Sequence, residues 1–281
     1  MQICGRCFTQ QEIDWIRDQI QSDPDLSRQE LSRRFCHHVG WFKPDGGPKE
    51  MSCKTAMLRM DKAGIIELPS PKKRIGSVGL VKRTPAGEPK PSLVIDPGES
   101  LCLEPVHQGV SALWNELIDR YHYLGYRRLA GAQMRFFVYA KEHLVAVLGF
   151  SAAAWKVACR DRFIGWSDRQ RREHLHLVVN NSRFLILPWI EGRNLASKIL
   201  SCVSRRLPEI WNKRYGYRPV LLETFVETPR FLGTCYKAAN WIRVGQSQGR
   251  GKWDRNHLAD KPIKTVWLYP LHRRFQEILC R

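Results

Sequence analysis

The sequence predicts an α+β protein with a small helical domain at the N-terminus and a larger C-terminal domain, a mixed sheet with flanking helices. Three observations predict this organisation. Residues 1–74 contain three segments in which apolar residues recur at helical spacing. Residues 75–108 are rich in Pro and Gly without a sustained period, which predicts a linker. Across residues 109–281, helical and strand-like patterns alternate.

Three short helices fill the N-terminal domain. Thr9 begins a capping box for the first helix, and Ser27 begins a similar pattern for the second. The third helix covers KEMSCKTAMLRMDKAG, and we expect Met51, Met57 and Leu58 on its inner face, with Ala56 and Met60 as further candidates. The segment IIELPSPKKR then predicts a short strand and a basic turn. Together these elements predict a winged helix-turn-helix in residues 1–74.

The third helix presents a polar and basic face that suits the major groove of DNA. The candidate DNA-contacting residues of that face are Lys49, Ser52, Lys54, Thr55, Arg59 and Lys62. The turn formed by Lys72, Lys73 and Arg74 suits a wing on backbone phosphate. The alternative is a small interaction module with a solvated face, because residues 1–75 hold 13 Lys and Arg against 10 Asp and Glu.

Most of the positive charge lies in the C-terminal part of the chain. The formal net charge is +19, and residues 76–281 hold 33 Lys and Arg against 17 Asp and Glu. A basic field of this size, with aromatic residues beside the cations in YHYLGYRR and RDRFIGW, favours nucleic acid. We therefore expect DNA as the partner. The alternative is a basic surface that serves only solubility.

The sequence predicts a soluble cytoplasmic protein with no membrane partner. No stretch reaches the roughly 18 consecutive apolar residues of a membrane helix, and MQICGRCFTQQEID lacks the apolar core of a signal peptide. Nine scattered cysteines argue against a disulfide framework. A zinc site that includes Cys4 and Cys7 is the alternative to reduced structural cysteines, and we predict no metal site.

The C-terminal domain begins with a helix over GVSALWNELIDRYHYLG. A hairpin, MRFFVYAKEHLVAVLGFSAAAW, follows with its turn at Lys141-Glu142. After a basic segment come the strand LVVNNSRFLILP and a helix that starts near Asn194. The strand PVLLETFV, the helix RFLGTCYKAANW and the strands WIRVGQ and KTVWLYPL complete the predicted order.

This order resembles the GCN5-related acetyltransferase fold. In that family a glycine-rich turn holds the pyrophosphate of acetyl-CoA, and Asn194-Leu195-Ala196-Ser197 stands at that place here. The resemblance implies Tyr236 as general acid. Asn194 replaces a glycine and Glu191 replaces a basic or amide residue, so we expect no acetyl-CoA and interpret Asn194 as a helix N-cap. Acetyl transfer stays an alternative function.

Longer strings resemble one bacterial family over nearly the whole chain. They include PKEMSCKTAMLRMDKAGIIELP, HLHLVVNNSRFLILPW and RFLGTCYKAANWIRVGQSQGRG. These strings are similar to the DruA family, the small proteins of Druantia anti-phage systems, whose relatives also occur near mobile elements. The resemblance implies genome defence or transposon-associated work on DNA. Other proteins of such systems, for example a helicase, are further expected partners.

Polar residues on two central strands predict a working cleft. Alternation places Asn181 and Arg183 on one face of their strand, and we expect Glu223 of the next strand to share the cleft. Glu223 is a candidate catalytic residue or the structural ion-pair partner of Arg183. His176 is a candidate acid or base, with a satisfied sheet histidine as its alternative. Tyr236 is the third catalytic candidate, with core packing as its alternative.

An Arg- and Trp-rich segment edges the predicted cleft and suits stacking on a single strand or a flipped base. The nucleic-acid candidates here are Trp155, Lys156, Arg160, Arg162, Trp166, Asn181, Arg183 and Arg250. The alternative is that the tryptophans only pack. A nuclease or transposase with a divalent metal is the alternative function, and its candidate ligands are Asp161, Asp168, Glu173 and Glu223.

Overall fold

The computed structural model describes residues 2–23, 25–44, 46–70, 81–129, 131–249 and 262–281. The chain divides into two compact units, Met1–Gly79 and Leu80–Arg281. Within the described ranges, no helix combines the length and the apolar character that crossing a bilayer requires.

The N-terminal unit contains the three predicted helices. Its elements are β1 (Gln2–Ile3), β2 (Arg6–Cys7), α1 (Gln10–Ser22), α2 (Arg28–His38) and α3 (Glu50–Lys62). Thr9 and Glu12 form the predicted capping box of α1. The Ser27 hydroxyl accepts a hydrogen bond from the N–H of Glu30 at the start of α2. The predicted helix starts are therefore confirmed.

The inner face of α3 is the predicted one for Ala56, Met57 and Met60, and differs for Met51 and Leu58. Met51 and Leu58 are 72% and 39% exposed. The buried residues of the helix are Cys53, Ala56, Met57 and Met60. These four follow the i, i+3, i+4, i+7 spacing of one helical stripe, and Met51 and Leu58 fall outside that stripe.

The predicted wing is not confirmed. Residues 65–70 form no strand, and Lys72, Lys73 and Arg74 lie outside the described residues. The N-terminal unit is thus shown as three helices with a two-stranded ribbon, and the winged helix-turn-helix stays a prediction.

Seven strands of the C-terminal unit form one mixed sheet. The strands of this unit are β3 (Leu93–Val94), β4 (Leu101–Pro105), β5 (Gln133–Ala140), β6 (His143–Ala152), β7 (Val178–Ile186), β8 (Ile190–Glu191), β9 (Leu221–Glu227), β10 (Ile242–Gln246) and β11 (Lys264–Pro270). The sheet order is β10-β11-β9-β7-β6-β5-β4, and β3 pairs separately with β8. Within the large sheet, β7 and β9 are parallel and the other neighbours are antiparallel.

Helices flank this sheet. They are α4 (Ser111–Tyr121), α5 (Ala158–Ile164), α6 (Asp168–His174), α7 (Leu195–Tyr215), α8 (Thr234–Ala238) and α9 (Phe275–Leu279). Trp114 of α4 is buried against the sheet, and its indole N–H donates to the carbonyl of Leu148 on β6. The predicted helices and strands occur in the predicted order, and the structure adds α5, α6, α9 and the short strands β3, β4 and β8. The α+β class is confirmed for this unit.

Part of the predicted linker 75–108 belongs to the C-terminal unit. The segment Leu101–Pro105 is the edge strand β4, which pairs with β5, and Leu103 is buried. An edge strand needs only one partner and tolerates a proline, so a five-residue strand among Pro and Gly gives little periodic signal. The linker prediction is therefore wrong for this segment.

A β-bulge in β7 separates two residues that alternation placed together. Gly149 of β6 pairs with Arg183, and the adjacent Phe150 pairs with Asn181, so Ser182 is an extra residue on β7. An extra residue reverses the faces beyond it. Asn181 and Arg183 therefore point to opposite faces of the sheet, and the prediction that they share one is wrong.

The strands β7 and β9 pair over a short length only. Their parallel register runs from Val178 opposite Leu221 to Asn181 opposite Thr224. Beyond these residues the two strands no longer pair, and the opening between them is bordered by two clefts.

Candidate functional site

Glu223 is part of a buried ion-pair network. Its carboxylate accepts hydrogen bonds from Arg160 at 2.8 Å and from the N–H of Ala154 at 2.8 Å, and neither Glu223 nor Arg160 is exposed. Arg160 also pairs with Asp161 at 2.8 Å. Burial alone would lower the pKa of Arg160, but the charges of Glu223 and Asp161 raise it overall. Glu223 therefore pairs with Arg160 and not with Arg183.

The other predicted metal-ligating carboxylates are also paired with arginines. Asp168 accepts from Arg171 at 2.6 Å, and Glu173 accepts from Arg169 at 3.0 Å. Across the described ranges, no group of three or more His, Cys, Asp or Glu side chains is arranged to hold a metal ion. The four carboxylates that we considered as metal ligands, those of Asp161, Asp168, Glu173 and Glu223, therefore each form a salt bridge with an arginine.

The basic segment keeps some of its predicted nucleic-acid residues at the surface and buries others. Trp155, Lys156 and Arg162 are exposed, Trp155 to 59%. Arg160 and Trp166 are buried, and the guanidinium of Arg160 lies 5.5 Å from the centre of the Trp166 ring. Arg160 is held by Glu223 and Asp161 and Trp166 packs beside it, so the structure does not support their assignment to DNA contact, which stays a prediction.

An aromatic cleft of about 530 Å³ opens between the diverging strands. We define it by Tyr121, His122, Tyr123, Phe184, Phe225, Arg230, Phe231 and Tyr236. Tyr236 is a buried residue of its wall and donates a hydrogen bond to the side-chain oxygen of Asn181 at 2.9 Å. Burial raises the pKa of Tyr236, which keeps the phenol protonated. Its catalytic role stays a prediction.

His122 is a neutral side chain in the wall of the aromatic cleft. Its Nδ1 accepts a hydrogen bond from the N–H of Leu124 at 3.2 Å. Burial, together with the charges of Arg183, Lys264 and Arg230, lowers the pKa of His122 to about 4. At neutral pH the imidazole therefore carries no charge.

His176 does not line the aromatic cleft or the second cleft described below. It belongs to a 3-10 turn, Leu175–Leu177, and packs edge-on against Tyr217 with ring centres 5.1 Å apart. The structure does not bring His176 to Glu223 or Tyr236, so these three catalytic candidates do not form one site.

A basic cleft of about 920 Å³ lies beside the aromatic cleft. We define it by Leu124, Arg127, Lys156, Arg183, Phe225, Glu227 and Lys264. Glu227 is its acidic member, and it pairs with Lys264 at 3.6 Å. Sequence analysis named Lys156 and Arg183 as candidates. It did not name Arg127 and Lys264, which line the same cleft but lie far from those two residues along the chain. Arg127 stands in the string YHYLGYRR, whose mixture of tyrosine and arginine was the available signal.

Arg183 is the buried cation of the basic cleft. It is 9% exposed, and its Nη1 and Nη2 donate to the carbonyls of Ser182 at 2.7 Å and Gly125 at 3.5 Å. Among the described residues, no carboxylate pairs with it, and its buried Nε has no hydrogen-bond partner. Burial lowers the pKa of Arg183, yet a guanidinium stays charged near neutral pH. Arg183 is thus a buried charge with unused hydrogen-bonding capacity.

The start of α7 fits acetyl-CoA poorly. Asn194 has φ 59° and ψ 12°, the left-handed conformation that a glycine would adopt, and its side chain makes no capping bond. Asn194 is the N-cap residue of α7 as predicted, but it caps the helix without a side-chain hydrogen bond. The strand β3 pairs with β8, which leads into this turn, and Lys198 of α7 donates to the carbonyls of Pro97 and Glu99. With Glu191 beside the turn, these contacts do not fit a pyrophosphate, and we derive no step through the coenzyme.

The outer face of α3 is only partly free for DNA. Arg59 and Lys62 are exposed. Lys54 lies 3.7 Å from Glu50, which also pairs with Arg33 at 3.1 Å. The remaining candidates of this face are Lys49, Ser52 and Thr55, and the Thr55 hydroxyl donates to the carbonyl of Met51. Arg250 lies outside the described residues.

Comparison with known families identifies the chain. The family model described as Druantia protein DruA matches residues 94–261, more than half of the sequence. The chain belongs to the DruA family. The matched residues include β4 and both walls of the aromatic cleft. No curated protein matches the chain.

Solved structures similar to this chain include acetyltransferases. An aminoglycoside acetyltransferase AAC(6')-Ib in complex with coenzyme A is 14% identical, with 64% of this chain and 98% of that one covered and a TM-score of 0.40. The ribosomal-protein-S18-alanine N-acetyltransferase from Escherichia coli is 7% identical, with 61% and 94% covered and a TM-score of 0.38. A GNAT-family acetyltransferase from Streptococcus pneumoniae is 10% identical, with 62% and 100% covered and a TM-score of 0.40. Similarity at this level supports no conclusion about activity.

Proposed function

We propose that this DruA-family chain is a DNA-binding component of a Druantia-type defence or mobile-element system, and that its basic cleft holds the phosphate backbone. Arg183 is the observation that carries the proposal. A buried charge without a charged partner is costly, and phosphate is the anion that a guanidinium binds best through its forked donors.

The surroundings of Arg183 support an extended anion and not a single small one. Arg127, Lys156 and Lys264 line the same cleft of about 920 Å³, and Glu227 is paired with Lys264. Lys156 and Trp155 are exposed at its edge. A groove with several cations and an exposed aromatic ring is typical of proteins that follow a nucleic-acid backbone.

The salt dependence of DNA binding tests this proposal. We would measure the affinity of the full chain for a labelled single strand and for its duplex by fluorescence anisotropy at several salt concentrations. Each cation that neutralises a phosphate contributes about 0.7 to the slope of log K against log salt for single strands, and about 0.9 for duplex DNA. The double variant R127A/K156A should therefore lower the slope by roughly 1.4 to 1.8.

A matched control separates the cleft from the general charge of the protein. The variant R205A/R206A removes the same charge from exposed positions of α7, outside the basic cleft. We expect it to leave the slope nearly unchanged. Equal losses in the two variants would show that the cleft has no special role, and a wild-type chain that does not bind DNA at low salt would refute the proposal.

A further inference from the structure

The aromatic cleft adjoins the basic cleft, and their walls share Leu124, Phe225 and Glu227. The chemistry of the two clefts differs. Cations line the basic cleft, whereas rings of tyrosine and phenylalanine line much of the aromatic cleft. A nucleotide divides in the same way, into a charged phosphate and a flat, neutral base joined by one sugar.

Stacking surfaces are exposed at the mouth of the aromatic cleft. The rings of Tyr123 and Phe231 are 5.2 Å apart, and the guanidinium of Arg230 lies 4.7 Å from the ring centre of Tyr123. Phe231 is 43% exposed and Leu232 is 77% exposed. Exposed rings beside an arginine plane are the surfaces on which bases of single strands stack.

Apart from charged residues such as Arg230 and Glu227 in its lining, the polar groups of this cleft are neutral and largely bonded to each other. Tyr236 donates to Asn181, the Asn181 amide donates to the carbonyl of Arg183 at 3.1 Å, and the Thr224 hydroxyl donates to the carbonyl of Asn181 at 2.9 Å. His122 accepts from the N–H of Leu124. Few hydrogen-bonding groups are left to read the identity of a ligand, so the cleft favours a flat neutral ring of any kind.

We infer that the aromatic cleft seats one unpaired base of the DNA strand whose phosphates lie in the basic cleft. The volume of about 530 Å³ falls within the range of roughly 300–1,000 Å³ that is usual for ligand pockets. This inference rests on the proposed function. It adds that the chain binds single-stranded or locally opened DNA more tightly than intact duplex, with little preference among the bases.

The experiment uses the full chain and two short strands of equal charge. One is an abasic sugar-phosphate strand, and the other carries a single central 2-aminopurine on the same backbone. Stacking of one base should make the second strand bind roughly 5- to 100-fold tighter, with a change in 2-aminopurine fluorescence on binding. F231A should remove both effects while it leaves the affinity for the abasic strand unchanged. Thermal melting would check that this half-exposed position leaves the fold intact.

The variant F42A is the matched control, because Phe42 is an exposed aromatic residue that lines neither cleft. It should keep the preference for the base. A wild-type chain without that preference, a preference that survives F231A, or one that F42A removes would each overturn the base site. Displacement of the 2-aminopurine strand by acetyl-CoA would also overturn it. In these cases salt-dependent binding of the abasic strand leaves the proposed function standing, whereas failure to bind either strand refutes both.

Discussion

Replacing Arg183 by Met should separate what this residue does for folding from what it does for binding. Met is an uncharged chain that follows the arginine side chain as far as Nε, so it replaces the apolar stem and leaves the space of the guanidinium group unfilled. The substitution removes the bonds to the carbonyls of Ser182 and Gly125. It also removes a buried guanidinium that has no carboxylate partner among the described residues and whose Nε is unbonded.

The effect on stability follows from these contacts. The bond of 2.7 Å to Ser182 stabilises the fold by about 1 kcal/mol, and the bond of 3.5 Å to Gly125 contributes little. Removal of the unbonded donor and of the unpaired charge raises the free energy of unfolding by about 1–3 kcal/mol. We therefore expect R183M to be as stable as the wild type or more stable by up to about 2 kcal/mol. For a domain of this size, the melting temperature then rises by about 0 to 8 °C.

The effect on binding has the opposite sign. A hydrogen bond between a guanidinium and a phosphate in a water-poor cleft contributes about 1.5–3 kcal/mol, so the affinity for DNA should fall roughly 10- to 150-fold. The salt slope should fall by about 0.7 to 0.9, the contribution of one phosphate contact. An increase or no change in stability together with a loss of affinity is the pattern of a residue kept for binding.

Differential scanning calorimetry and fluorescence anisotropy would measure the two effects on the same preparation. R205M is the control, because Arg205 is exposed on α7, donates only to the Ser201 hydroxyl at 3.1 Å and carries the same charge. It should change neither quantity appreciably. If R183M melts more than about 5 °C below the wild type and binds DNA with unchanged affinity, Arg183 is a structural residue and the reasoning is refuted.

Three further predictions follow from other contacts. E223Q should lower the free energy of unfolding by about 3 kcal/mol because it weakens a fully buried ion pair. E173Q, which weakens an exposed pair, should lower it by less than about 1 kcal/mol. Equal melting temperatures of the two variants would contradict the structural role of Glu223. Because burial lowers the pKa of His122 from 6.5 to about 4, the unfolded chain binds the proton more tightly, so stability should fall as the pH drops from 6.5 to 4. Urea unfolding of H122N should show a smaller fall, and a slope equal to that of the wild type would exclude His122 as its source. The double variant K54A/R59A should weaken DNA binding and lower the slope of log K against log salt by roughly 1.4 to 1.8. An unchanged slope would show that these two residues of α3 do not contact DNA phosphates.

Signals that lie within a few residues predicted much of the fold. The capping box at Thr9 and the two-residue turn at Lys141-Glu142 lie where local pattern placed them. Helical and strand periods repeat within one element, so the order of elements in the C-terminal unit could be read without knowledge of their partners. The edge strand β4 escaped because its short pattern stands among prolines and its partner, β5, follows some thirty residues later.

The candidate site depended on contacts between distant residues. Composition and the strings shared with the DruA family indicated a basic protein that works on DNA, and alternation gave the polar positions of β7 and β9. The bulge at Ser182 turned Arg183 away from Asn181, and the partner of Glu223 proved to be Arg160, sixty-three residues earlier. A bulge depends on the pairing of two strands, and the partner of a buried charge depends on which helix covers the sheet. The sequence by itself determined most of the elements, their order and the excess of positive charge. Only the tertiary structure decided which buried cations are paired with carboxylates and that, among the described residues, Arg183 is buried without one.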